Sequence, residues 1–287
     1  MSRIAYVNGA YRRHAEASVH IEDRGYQFAD GVYEVIAVAG GRLIDPVLHH
    51  ERLERSLAAI GIAQPMGRAA LGQVLDETIR RNGVNDGIVY FQVTRGVSRR
   101  DHPFPKTPIR PALVVTSRSG LGPGAKAMEE GVGVITRPDI RWGRCDIKSV
   151  ALLANVLVKQ DARAAGCHEV WQVDRDGFVT EGGSSNSWMV DRDGALITRP
   201  ADHSILNGIT RIALIELAKK AGFKVIERKF TAEEAKSARE AFITSTTSFV
   251  LPVVRIDDSP VGNGYPGETA RRLQALYAAH VAAAGRA

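Results

Sequence analysis

Two short apolar runs, IAYV and AY, flank Asn8-Gly9 at the start of the chain. That dipeptide suits the positive φ angles of a two-residue turn, so a β-hairpin is predicted there. A second strand pair is predicted in GVYEVIAVAGGRLI, with Gly40-Gly41 at its turn. Alternation places Tyr33, Val35 and Ala37 on one face of this strand and Val32, Glu34, Ile36 and Val38 on the other. Both faces are mostly apolar, which predicts a strand inside a sheet rather than at its rim. From Pro46 the period becomes helical in HHERLERSLAAIG, closed by Gly61, and a second helix, ALGQVLDETIRRNG, stops at Asn82-Gly83. GIVYFQV and RPALVVTSR read as further strands, the first running into a basic loop that holds Arg99, Arg100 and His102.

SGLGPGAK carries three glycines and a proline and reads as a linker. A chain of 287 residues is also long for a single core, so two domains are expected: 1–118 and 126–287, joined by 119–125. The second opens with the strand GVGVITRPDIRW. It then reaches RCDIKSVALLANVLVKQ, where Lys148 lies between an extended segment and a helix. Asp176-Gly177 and Asp193-Gly194 mark two hairpins, which puts Glu181 on a strand between them, near a sheet interior. A helix is predicted from about Ile209 to Gly222 in LNGITRIALIELAKKAG, and an amphipathic helix, ETARRLQALYAAHVAAA, closes the chain.

Two of these positions carry candidate chemistry. Desolvation favours the neutral, nucleophilic form of an amine, so a semi-buried lysine can bind a carbonyl. A carboxylate in a sheet interior is costly without a partner, and a protonated ring nitrogen would be one. A lysine for the carbonyl and a carboxylate for the ring nitrogen are the minimal set for pyridoxal phosphate chemistry. On spacing alone, a solvated lysine is the commoner outcome.

A wider set of motifs adds to this pair. EDRGYQFADGVYEV, HHERLERS, YFQVTRG, RWGRCDIKSVALLANVLVKQ, VTEGGSSN, LNGITR, ITSTTS and VGNGYPGETARRLQ occur in one order over nearly the whole chain. In these blocks the chain resembles the class IV (fold type IV) pyridoxal-phosphate aminotransferases, and among them most the D-amino acid aminotransferases. The resemblance implies an α+β, α/β architecture of two domains. The smaller N-terminal domain would be an α/β sandwich, and the larger C-terminal domain would have a β-barrel-like core.

It also implies roles. Lys148 would hold pyridoxal 5'-phosphate as a Schiff base and then move the substrate's Cα proton. Glu181 would pair with the ring nitrogen. Arg52, within His49, Arg52, Leu53 and Ser56, would bind the phosphate, a task its planar fork suits. Ile209 and Thr210 at a helix N-terminus and Thr246 in ITSTTS would complete the phosphate site, and Ser184 and Ser185 would shape the turn beside the cofactor. Tyr33, Arg100 and His102 would hold the substrate carboxylate. Arg99 is adjacent, so either arginine fits the loop. The implied reaction is ping-pong transfer from D-amino acids to 2-oxo acids, in a homodimer with the site near the subunit interface. Other activities of the same fold are branched-chain L-amino acid, (R)-amine and aminodeoxychorismate chemistry. The Arg100/His102 pair argues against the first and third, and a carboxylate clamp has little use with a plain amine.

Composition narrows the partners further. The net charge of +6 is spread along the chain without a recognition motif, so no nucleic acid is expected. No apolar run approaches the roughly 20 residues of a membrane span, and no N-terminal apolar segment of a signal peptide is seen. Two cysteines, Cys145 and Cys167, make neither a disulfide framework nor a zinc site, so no metal and a reducing cytoplasm are expected. A non-catalytic binding protein on this fold would be expected to lose Lys148 or a phosphate ligand, and the chain keeps both.

Overall fold

The computed structural model describes residues 3–284. Two compact units emerge. One holds the chain up to Leu121 together with Ile147–Ala151, and the other holds Gly122–Asp146 and Leu152–Val281. Chain order assigns Lys148 to the second domain, but its contacts assign it to the first.

The first unit contains β1 (Ile4–Val7), β2 (Ala10–Arg13), α1 (Arg24–Phe28), β3 (Gly31–Ala39), β4 (Arg42–Leu43), α2 (Pro46–Ala59), α3 (Arg68–Asn82), β5 (Gly87–Thr94) and β6 (Ala112–Ser119). The strands form one antiparallel sheet in the order β2-β1-β6-β5-β3-β4. At the first hairpin Asn8 and Gly9 take φ of 48° and 103°, the positive values the turn requires. Helices α2 and α3 supply Leu53, Leu57, Leu71 and Leu75 to a core shared with Val32, Ile36 and Phe91 of the sheet. That burial is the main stabilising contribution of the unit.

β4 pairs only with Val38 and Ala39, which leaves the start of β3 open on that side. The Lys148 segment fills the place: Tyr33 N donates to Lys148 O at 3.0 Å and Val150 N to Gly31 O at 3.1 Å. β3 is therefore paired on both edges at its functional end, as its apolar faces predict.

The second unit contains α4 (Ala125–Glu130), β7 (Val132–Pro138), α5 (Leu153–Ala164), β8 (Glu169–Val173), β9 (Val179–Gly182), β10 (Asn186–Val190), β11 (Leu196–Thr198), α6 (Ile209–Lys220), β12 (Val225–Glu227), α7 (Ala232–Lys236), β13 (Glu240–Ser245), β14 (Phe249–Ile256), β15 (Ser259–Pro260) and α8 (Glu268–Ala284). Its sheet runs β12-β11-β10-β13-β14-β7-β8-β9, with β15 on β14. β9 ends the sheet, yet a tight turn joins it to β10 in the interior, where Gly182 N donates to Ser185 O at 2.7 Å. The sheet must curl to allow this, and it forms a half-barrel around Trp171, Val179, Met189 and Leu251. No helix among the described residues is long and apolar enough to cross a membrane.

Candidate active site

In the first unit the site is built on β3 and α2. Lys148 is half-buried, and its Nζ lies 4.2 Å from the centroid of the Tyr33 ring. Its backbone N donates to Ser56 Oγ at 3.3 Å. Ser56 follows His49 and Arg52 along one face of α2, and all three are buried. The run His49, Arg52, Leu53, Ser56 is thus the inward stripe of a helix, with Arg52 one turn from the serine that touches Lys148.

Glu34 on the buried face of β3 sets the direction of Arg52. Its Oε1 accepts from Arg52 Nε and its Oε2 from Arg52 Nη2, each at 2.8 Å, while His49 Nδ1 bonds Oε2 at 2.7 Å. Burial alone would raise the Glu34 carboxyl pKa, but the charge and hydrogen bonds of Arg52 override it, and the group stays well below the usual carboxylate range. A fork gripped along one edge points in a fixed direction, as a phosphate ligand must.

The loop after β5 is anchored by residues that sequence reasoning did not single out. Arg24, buried at the start of α1, donates Nη1 to Asp101 O at 2.6 Å and Nη2 to His102 O at 3.1 Å. Its Nε bonds Asp30 Oδ2 at 2.8 Å, and Asp30 also takes Nε and Nη2 of Arg95. Burial acts to raise the Asp30 pKa, and the two arginines more than reverse it. On this base the exposed Arg100 guanidinium lies 4.6 Å from the Phe28 ring centroid, and the His102 ring lies 5.4 Å from it. Arg100 and His102 therefore converge on one aromatic side chain.

In the second unit Glu181 is buried at the end of β9. Its place in a strand interior calls for partners, and the fold supplies several. Oε1 is paired with Arg141, and Oε2 accepts from Asn186 Nδ2 and Leu206 N, each at 3.1 Å. Arg141 also grips Asp139, and the two carboxylates outweigh its burial and hold it firmly cationic. This cage fixes the orientation of the Glu181 carboxylate.

Asn186 links Glu181 to the entry of α6. Its Nδ2 also donates to Leu206 O at 2.8 Å, and a Cβ on Gly208 would meet its Oδ1 at 2.1 Å. Gly208 caps α6 without a side-chain hydrogen bond, which leaves Ile209 and Thr210 at a bare helix N-terminus. Asn186 pairs with Thr244, and Thr246 stands just beyond, in the turn between β13 and β14. Glu181, Ile209, Thr210 and Thr246 are thus gathered at one end of the half-barrel.

Ser184 and Ser185 share one partner. Both hydroxyls donate to Glu169 Oε2 at 3.1 Å, and Lys159 Nζ lies 3.1 Å from Oε1 of the same carboxylate. They brace the turn from β9 to β10. Cys145, between Arg141 and Lys148 in sequence, donates to Trp142 O, and burial pushes its thiol pKa up to about 11, which leaves it inert.

Glu34 could have been found from sequence: it is the one charged residue in a largely apolar strand, where a buried partner is required. Arg24, Asp30 and Arg141 give no such signal, since each meets its partners only through the fold. The first unit offers an amine beside a tyrosine and an oriented arginine, and the second offers an uncapped helix start and a caged carboxylate; each set has groups that suit a phosphorylated pyridine aldehyde. Among the described residues no cluster suited to a metal ion occurs.

The comparisons agree with this chemistry. The chain is 42% identical over 267 residues to the D-alanine aminotransferase of Bacillus licheniformis, covering 93% of each sequence. It is 38% identical over 269 residues to that of Staphylococcus aureus (strain MSSA476), covering 94% of each. Its fold matches the T.th. branched-chain amino acid aminotransferase with pyridoxamine 5'-phosphate at a TM-score of 0.88. That match has 27% identity and covers 98% of this chain and 94% of the other. The family model of amino-transferase class IV matches residues 31–256, from the first residue of β3 to the last of β14, and the chain belongs to this family.

Proposed function

We propose that this chain transfers the amino group of a D-amino acid, such as D-alanine, to a 2-oxo acid, such as 2-oxoglutarate. The observation that carries the substrate reading is the seating of Arg100 and His102 on Phe28, with the loop backbone held by Arg24. Two cationic or hydrogen-bonding groups on one rigid base form a carboxylate clamp, and a fixed carboxylate determines which Cα substituent faces the base. The relatives named D-alanine aminotransferase support the same reading.

Pyridoxal phosphate, when bound, supplies a carbonyl for the amine and a ring that takes up carbanion charge. Lys148 uses its Nζ both as the tether and as the base that accepts the substrate's Cα proton. Glu181 keeps a proton at the ring nitrogen. Arg52, the α6 N-terminus at Ile209 and Thr210, and Thr246 hold the phosphate, while Tyr33 joins Arg100 and His102 on the substrate carboxylate. Ser184 and Ser185 act through the turn they brace. The working form is a homodimer. α5 exposes Leu153, Val156 and Leu157 at helical spacing, an apolar stripe suited to burial between two copies. The buried free cysteines suit a reducing compartment.

The fold match to a branched-chain aminotransferase keeps L-leucine as the rival donor. The test compares D-alanine and L-leucine with 2-oxoglutarate in wild type and Arg100→Ala. Rapid ping-pong turnover of D-alanine, mostly lost in the variant, supports the reading. Preference for L-leucine, untouched by the substitution, overturns it.

A further inference from the structure

Five residues other than glycine take a positive φ among the described residues: Asn8, Ala29, Asp45, Phe249 and Asp257. Asparagine and aspartate tolerate that region and alanine is small, but a bulky aromatic enters it only where its surroundings compel it. Phe249, with φ of 53°, is the first residue of β14 and pairs with Ser245 across the β13–β14 hairpin. Thr246, Thr247 and Ser248 form the turn between them, so the angle at Phe249 closes the turn. Within it Ser248 N donates to Ser245 Oγ at 3.0 Å. Gly122 crowds the same turn, since a Cβ there would lie 2.8 Å from Thr247 O.

What compels Phe249 is α8. The ring centroids of Phe249 and Tyr277 lie 5.2 Å apart, the rings tilted by 35°, and Tyr277 is buried. One helical turn earlier, Gln274 Nε2 donates to Val250 O at 3.2 Å, and to Met128 O at the same distance. Gln274 and Tyr277 share one face of α8, so that face holds both the backbone and the ring at the start of β14. Without the ring contact, Phe249 would relax to the ordinary extended angles of a strand, and the turn carrying Thr246 would change shape. A turn held in its binding form before the ligand arrives pays no ordering cost on binding.

Resting on the assignment of Thr246 to the cofactor phosphate above, we propose that Tyr277 is a positioning residue for the phosphate site. Packed on Phe249, it holds the β13–β14 turn in the strained form that presents Thr246. The closing helix thereby serves the site without touching the cofactor.

The test strips cofactor from the full-length enzyme and titrates it with pyridoxal 5'-phosphate and with pyridoxal, which lacks the phosphate, following the absorbance of the bound chromophore. The ratio of the two affinities isolates the phosphate contacts, because a general loss of stability weakens both ligands alike. Tyr277→Leu is expected to lower the ratio about tenfold, the worth of one hydrogen bond to a charged group. Tyr277→Phe keeps the ring and should keep the ratio. Phe249→Leu removes the ring from the half-buried side and gives the same test if Tyr277→Leu does not fold. Phe249→Gly removes the steric cost of the positive φ, so adding Tyr277→Leu to it should change the ratio little further. Thr246→Val tests the underlying assignment. Where it lowers the ratio, an unchanged ratio in Tyr277→Leu overturns the proposal, as does an effect undiminished beside Phe249→Gly. Where it leaves the ratio unchanged, the assignment of Thr246 fails instead, and amide exchange at Ser248 decides the support of the turn separately. Tyr277→Leu should lose protection there and Tyr277→Phe should keep it; equal protection in both overturns that support.

Discussion

Tyr33 and Lys148 hold each other twice. The Tyr33 N–H donates to Lys148 O at 3.0 Å, and the Lys148 amine lies 4.2 Å from the centroid of the Tyr33 ring. The proposed base and one wall of the proposed carboxylate site are therefore a single rigid piece. The backbone bond fixes the strand register, and the ring face attracts the ammonium by about 0.5–2 kcal/mol. Tyr33→Phe keeps the ring and loses only the hydroxyl, so it should raise KM for the amino acid with little change in kcat. Tyr33→Leu removes the ring and should lower kcat as well. Steady-state kinetics on both variants separate the two contributions, and a fall in kcat of equal size in both would contradict the division.

Arg24 holds the loop of the proposed clamp through its backbone carbonyls. Arg24→Gln should leave the global fold intact while freeing the carbonyls of Asp101 and His102. KM for the amino acid should rise about tenfold, as for one lost charge-assisted hydrogen bond, with cofactor affinity unchanged. Arg24→Lys should rescue only part of the loss, since a point charge cannot span two carbonyls and Asp30. Unaltered KM in both variants would show that the loop holds its shape by itself.

Gly208 is needed for closeness rather than for an unusual backbone angle: its φ is −64°, but a Cβ would strike Asn186. Gly208→Ala should displace Asn186 from Glu181 or shift the start of α6. Either change loosens two proposed cofactor contacts at once. Faster loss of the yellow colour on dialysis, with unchanged far-ultraviolet circular dichroism, is the expected result. Full retention of colour would exclude the cradle as described.

Acid should weaken the first unit through His49 before it reaches Glu34. Burial pulls the His49 pKa below its ordinary 6.5, and the bond to Glu34 offsets this only in part. The unfolded chain then takes up the proton first. Stability is full above pH 6.5 and falls as the pH drops from there through the lower folded value. Glu34 follows the same sign at lower pH. Its contribution is present above its ordinary 4.5 and is lost only in stronger acid, as its depressed folded pKa is passed. Urea unfolding at about pH 7.5, 6.5 and 5.5 should show the first decline, and His49→Gln should flatten it. An equal slope in the variant would assign the decline to other groups.

Periodicity, turn dipeptides and block order were enough to place most elements. Asn8-Gly9, the helices ending at Gly61 and Gly83, and the strand carrying Glu181 are local matters of φ angles and alternation, and they lie where the residues predict. The order of motifs carried the family, because it depends only on chain sequence. Tertiary structure decided what each polar group faces. Lys148 belongs with the first unit, Glu181 is already caged by Arg141 and Asn186, and the Ser184 and Ser185 hydroxyls are committed to Glu169. Arg24 meets its loop carbonyls across 77 and 78 residues of chain. The physical reason is range. Backbone angles and hydrophobic period are properties of a few neighbouring residues, whereas a buried charge is satisfied by whatever distant group the packed chain brings to it.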